Sequence, residues 1–184
     1  MKKVLLLFIS LICLNLPVFS YQTVLVDFPS SQGWHAVYYD KIFDEAILQY
    51  APSGQTADDW TRTMVFHSYK NLSWTDSAAK LMDRLTMQME AKNSTQLYKY
   101  TKYSEADSIA TRCVTKNKYI PAQCEIFRVS RSHEGLITMH YINKNVNDFK
   151  NNYNQWYEIV KKIRIYYSYY LDDRVLDKST SFSL

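Results

Sequence analysis

Apolar positions follow three different patterns along this chain. Residues 4–16 form a predominantly apolar run behind Lys2 and Lys3, followed by Pro17 and Val18-Phe19-Ser20. That is the layout of a secretory signal peptide, with cleavage expected after Ser20. The run is about thirteen residues long, whereas a membrane-spanning helix needs roughly twenty. Beyond it, short aromatic and β-branched stretches predict strands at residues 23–28, 34–39, 45–50 and 63–69. Further strands are expected near residues 96–103, 108–114, 123–131 and 136–143, with Ser132-His133-Glu134-Gly135 as a hairpin turn between the last two. The third pattern has helical period. Thr56 with Asp59 predicts a turn or two of helix opening on Trp60. Ser73 with Asp76, or Thr75 alone, caps a better helix whose Ala78, Leu81, Met82, Leu85 and Met89 share one face. Phe149, Tyr153, Trp156, Val160, Ile163, Tyr167 and Tyr170 step alternately by four and three, which predicts a long helix with Lys150, Lys161, Lys162 and Arg164 towards solvent.

This order of elements predicts an α+β fold: an antiparallel sheet packed against two main helices, with one short extra helix. The pattern leaves open whether the helices share one sheet face or take one each. The expected layout is a signal peptide over residues 1–20 and a single α+β domain over 21–184, whose polar, serine-rich C-terminal tail frays.

Pro52-Ser53-Gly54-Gln55-Thr56-Ala57-Asp58-Asp59-Trp60 resembles the P-x-G-x-T-x-x-x-W stretch of small exported bacterial proteins of unknown function, which are similar to the PsbP-like α+β fold. The resemblance implies a sheet with helices on its faces and an interaction role. It carries over no catalytic residues.

The formal charge of the whole chain is +4, and removal of Lys2 and Lys3 brings it closer to balance, so charge gives no argument for nucleic acid. Three glycines leave no room for a phosphate-cradling loop. Signal cleavage removes Cys13, which follows Ile12 and so lacks the small neighbour that lipoprotein processing requires. It leaves Cys113 and Cys124, an even pair expected to form a disulfide in an oxidising compartment. Their spacing is not that of a C-x-x-C redox pair.

Nothing in the spacing assembles a catalytic centre. His35, His67, His133 and His140 are isolated and form no zinc-ligand pattern. There is no G-x-S-x-G elbow. The adjacent acids Asp58-Asp59 suit a helix N-terminus, and Asp172-Asp173 a solvated face. Accordingly no catalytic, cofactor-binding or metal residue is assigned, and no cofactor is expected. Tyr166 and Tyr169 fall off the buried stripe of the long helix, beside Lys161, Lys162 and Arg164. They form a candidate interaction surface, since tyrosine supplies contact area and a hydroxyl at small entropic cost.

These readings favour an exported, non-enzymatic binding or protein-interaction module acting in the periplasm or outside the cell, of the kind a secreted virulence factor uses. Its expected partner is a protein or an envelope or extracellular ligand, with no nucleic acid and no transmembrane segment after signal cleavage. The alternative is a secreted hydrolase or toxin-like enzyme whose site is assembled from distant residues, with His67, His133 and His140 the first to examine. A third is a structural component of the envelope.

Overall fold

In the computed structural model, residues 21–72, 76–92, 95–116, 121–168 and 182–183 are described. The expected signal peptide, Tyr169 and Asp172-Asp173 lie outside them. The elements run β1 (Tyr21–Leu25), β2 (His35–Ile42), β3 (Glu45–Ala51), β4 (Arg62–Tyr69), α1 (Ala78–Lys92), β5 (Thr95–Ser104), β6 (Asp107–Val114), β7 (Gln123–Arg131), β8 (Leu136–Asn143), α2 (Val146–Asn151), α3 (Tyr153–Lys162), β9 (Arg164–Ser168) and β10 (Phe182–Ser183). Seven strands form one sheet in the order β2-β3-β4-β8-β7-β6-β5, and three form a second in the order β10-β1-β9. Every pairing is antiparallel.

The molecule is therefore mostly β, which corrects the expected α+β fold with two main helices and a short third. Two segments account for the difference. Residues 52–61 contain no helix. The Thr56 hydroxyl accepts the Asp59 amide, but the Thr56 amide also donates to the Asp59 carbonyl, closing a turn instead of opening a helix. The Gln55 side-chain carbonyl takes the Thr61 and Arg62 amides, and the Lys144 ammonium lies 3.7 Å from the centre of the Trp60 ring. Residues 52–61 thus form the β3–β4 loop.

The second segment is the expected long C-terminal helix. It is interrupted at Asn152 and ends at Lys162. Arg128 on β7 explains the stop. Its Nη1 donates to the carbonyls of Val160, Lys161 and Ile163 at 3.2, 2.8 and 2.9 Å, tying the end of the helix to β7, while the Val160 carbonyl also accepts the Ile163 amide. The branched and aromatic residues that follow continue as β9, with Ile165 opposite Val24 and Tyr166 opposite Thr23 on β1. By contrast α1 forms where its apolar face predicts, although the cap falls at Ser77, whose hydroxyl accepts the Lys80 amide.

The helices take one sheet face each. On the first face, Leu48, Tyr50, Phe66, Ile126, Met139 and Tyr141 pack with Val24 of β1 and with Phe149, Trp156 and Val160 of α2 and α3. Trp156 stacks on Tyr141 at 4.0 Å, and Trp34 stacks on Phe28 at 4.8 Å beside it. On the second face, Ala78, Leu81 and Met82 of α1 cover Ala110, Phe127, Val129 and Leu136. The β3–β4 side of that second face is less covered: Ile47, Gln49, Val65 and His67 are half-buried.

Candidate functional site

Alternation along the strands places a row of polar groups on the face that α1 partly covers. Phe127 belongs to the α1 cluster, and its opposite neighbour on β8 is His140, so His140 shares that face. Val65 lies opposite His140 on the other side, which puts His67, two residues on, in the same plane of side chains. Ile47 lies opposite His67, so Glu45 joins it; Glu125 is two residues before Phe127, with Arg112 opposite. The result is a diagonal of Glu45, His67, His140, Glu125 and Arg112 across five consecutive strands, β3-β4-β8-β7-β6.

Each group in the row has a named partner. His67 Nε2 lies 2.9 Å from a Glu45 carboxylate oxygen, and His140 Nδ1 lies 3.4 Å from one of Glu125. Glu125 is paired on its other oxygen with Arg112 Nε, and both side chains are almost fully buried. The Arg112 guanidinium also covers the Phe127 ring at 4.3 Å and donates to the Leu85 carbonyl of α1. Burial works to raise the Glu125 carboxyl, but the hydrogen bond and charge of His140, then Arg112, outweigh it and hold the pKa below the usual value. Burial lowers the His67 pKa, with Glu45 opposing and His140 adding to the drop, so its imidazole is neutral at pH 7.

At the Glu45 end the row opens onto a pocket of about 560 Å³, lined by Ile42, Phe43, Asp44, Glu45, Tyr69 and Lys70 among others. The Tyr69 ring stacks on His67 at 3.9 Å, and its hydroxyl is pushed up to about 12, mainly by burial and then by Glu45. Lys70 Nζ is held by Glu134 at 2.8 Å. Phe43 and Asp44 make the two-residue turn of the β2–β3 hairpin, tied down by the Lys70 amide donating to the Asp44 carbonyl. Phe43 is 93% exposed and has φ 53°, a left-handed backbone that a bulky side chain adopts at a cost of about 1–2 kcal/mol. Ile42, Tyr38 and Tyr39 on the same hairpin are also exposed.

The residues singled out from sequence are dispersed. Cys113 and Cys124 face each other on β6 and β7 and are joined as a disulfide, flanking the first core face. Tyr166 is exposed as expected, but on strand β9, with the Arg164 guanidinium 5.6 Å from its ring centre. Tyr169 lies outside the described residues. Of the three histidines, the fold brings His67 and His140 together and leaves His133 exposed in the β7–β8 turn. The hairpin-tip pocket had no sequence signal except Ile42 and Phe43, two large apolar residues beside a turn-forming Asp44.

Among the described residues no cluster of three or more His, Cys, Asp or Glu could hold a metal, and no helix is long and apolar enough to cross a membrane. No protein-family model and no curated protein matches the chain.

Proposed function

We propose that this is an exported binding module, acting in the periplasm or outside the cell, that holds a partner protein at the tip of its β2–β3 hairpin. Phe43 carries the reading. A phenyl ring almost wholly in water, on a backbone that disfavours any side chain, gives the isolated fold nothing. Strain of this kind is kept where the ring is used by something else. Ile42 and Tyr38, on one face of the hairpin, and Tyr39, on the other, add exposed apolar and aromatic side chains of the composition that interfaces favour. The leader-like residues 1–20 and the likeness of residues 52–60 to small exported bacterial proteins supply the address.

The test is a photo-crosslinking residue at position 43 in the native host, compared with the exposed position 151 on α2. A discrete adduct at 43 and none at 151 is expected; no adduct at 43 removes the hairpin as the contact. A crosslinker at Tyr166 separates the β9 surface from the hairpin.

The hydrolase reading draws on one observation, two histidines on one face, each against a carboxylate. Such pairs can move protons. Among the described residues, however, neither histidine is hydrogen-bonded to a serine, threonine or cysteine that it could activate. If His67→Ala and His140→Ala leave every hydrolytic activity found by screening intact, this second reading is finished.

A further inference from the structure

Among the described residues, the lining of the hairpin-tip pocket brings together the carboxylates of Asp44 and Glu45 and one ammonium, that of Lys70, which is paired with Glu134. The rest of the wall is apolar or aromatic: Ile42, Phe43 and the neutral Tyr69 ring. An apolar trough with an aromatic face and a carboxylate at its end is complementary to an alkyl stem carrying a cation. A free volume of about 560 Å³ has room for a long side chain.

We infer that the pocket receives a lysine or arginine side chain of the partner protein, with its stem along Ile42 and Tyr69 and its cation against the Glu45 carboxylate. This rests on the reading that the hairpin tip is the contact. Glu45 is suited to the role because, among the described residues, only one of its oxygens is engaged, by His67, and its side chain is 58% exposed.

The same geometry couples the contact to protons. The groups facing His67 are Glu45 from β3, Tyr69 on its own strand and His140 from β8, behind which stands Glu125 of β7. While His67 is neutral it donates to Glu45 without cancelling its charge. Once protonated, it becomes the counter-ion of Glu45 and competes with the incoming cation. The partner's basic side chain is therefore held at neutral pH and released in acid.

The experiment follows amide shifts of residues 42–45 and 69–72 in the 15N-labelled protein as its host processes it. The probes are acetyl-Ala-Leu-Lys-Leu-Ala-amide, its norleucine and glutamate counterparts, and n-butylammonium. At neutral pH the lysine peptide is expected to bind about tenfold tighter than the norleucine peptide, a difference of about 1.4 kcal/mol. Glu45→Gln removes most of that advantage. Wild type loses it as His67 takes up its proton, below the ordinary imidazole value of 6.5, whereas His67→Gln keeps it there. Equal binding of the lysine and norleucine peptides, or tighter binding of the glutamate peptide, overturns the inference. So does n-butylammonium binding as tightly as the lysine peptide, which would make this a site for free amines. These failures are separable from failure of the hairpin reading, because the crosslink at position 43 survives them.

Discussion

Glu125 shows how one buried carboxylate ties the sheet to α1. It accepts from Arg112 on one oxygen and meets His140 on the other, and Arg112 in turn reaches the Leu85 carbonyl. Removing its charge leaves the Arg112 guanidinium buried and unmatched. Glu125→Gln should therefore cost about 3–5 kcal/mol, read as a lower urea midpoint with unchanged slope. The sign of the pH dependence follows from two lowered pKa values. His67 and Glu125 both bind a proton less readily folded than unfolded. The stability each contributes is complete above its unfolded value and is lost as pH falls through the folded one. On acidification the His67 share goes first, below its ordinary 6.5, and the Glu125 share later, below 4.5. Thermal midpoints should fall in two steps, and Glu125→Gln should abolish the lower step; a midpoint that rises on acidification would contradict both assignments.

At the scale of elements, one junction is held by a single side chain and one turn is strained by another. Arg128 chelates Asp107 through Nε and Nη2 at 2.9 and 2.8 Å while Nη1 takes the last carbonyls of α3. Arg128→Ala should destabilise by about 3 kcal/mol, and Arg128→Lys should restore only part of it, since one ammonium cannot serve both groups. Equal stability of the lysine variant and wild type would show that the fork geometry is irrelevant. The β2–β3 turn makes the opposite prediction. Phe43→Gly relieves the left-handed backbone, an effect partly offset by the freedom glycine adds to the unfolded chain. A net gain of about 0.5–1 kcal/mol is expected, with no gain from Phe43→Ala. Calorimetry checks the stability, and the same glycine variant should lose its partner. A variant more stable yet unable to bind is the signature of strain kept for function.

For the whole molecule, the disulfide clips β6 to β7 beside the first core face. Cys113 and Cys124 are 11 residues apart, so the bond constrains a short loop, and replacing both by serine should cost about 2–3 kcal/mol. The double variant should still fold, because Cys124 and Cys113 are only two of the many residues that make the cluster around Trp156 and Tyr141, and the cluster under α1 contains neither. Failure to fold would mean that the sheet depends on the clip far more than its loop length implies.

Much of the sheet was legible from local sequence. β3, β4, β7 and β8 stand within a residue or two of where alternation places them, and so does the apolar face of α1, because each is set by neighbours a few positions away. The cysteine pair was legible for the same reason, since so few alternatives existed. The C-terminal helix was misread because steps of four and three carry on past Ile163 into residues that pair with β1, and only a strand from the other end of the chain decides that competition. The Thr56 turn was misread because a threonine hydroxyl can close a turn as well as cap a helix. The polar row was not legible, and the hairpin-tip pocket had no signal beyond Ile42 and Phe43 beside Asp44. Glu45, His67, Glu125 and His140 are scattered through the sequence and become neighbours solely through the β3-β4-β8-β7 register. Local periodicity determines strands and faces; which strands lie side by side, and hence which charges meet, is a property of the assembled sheet.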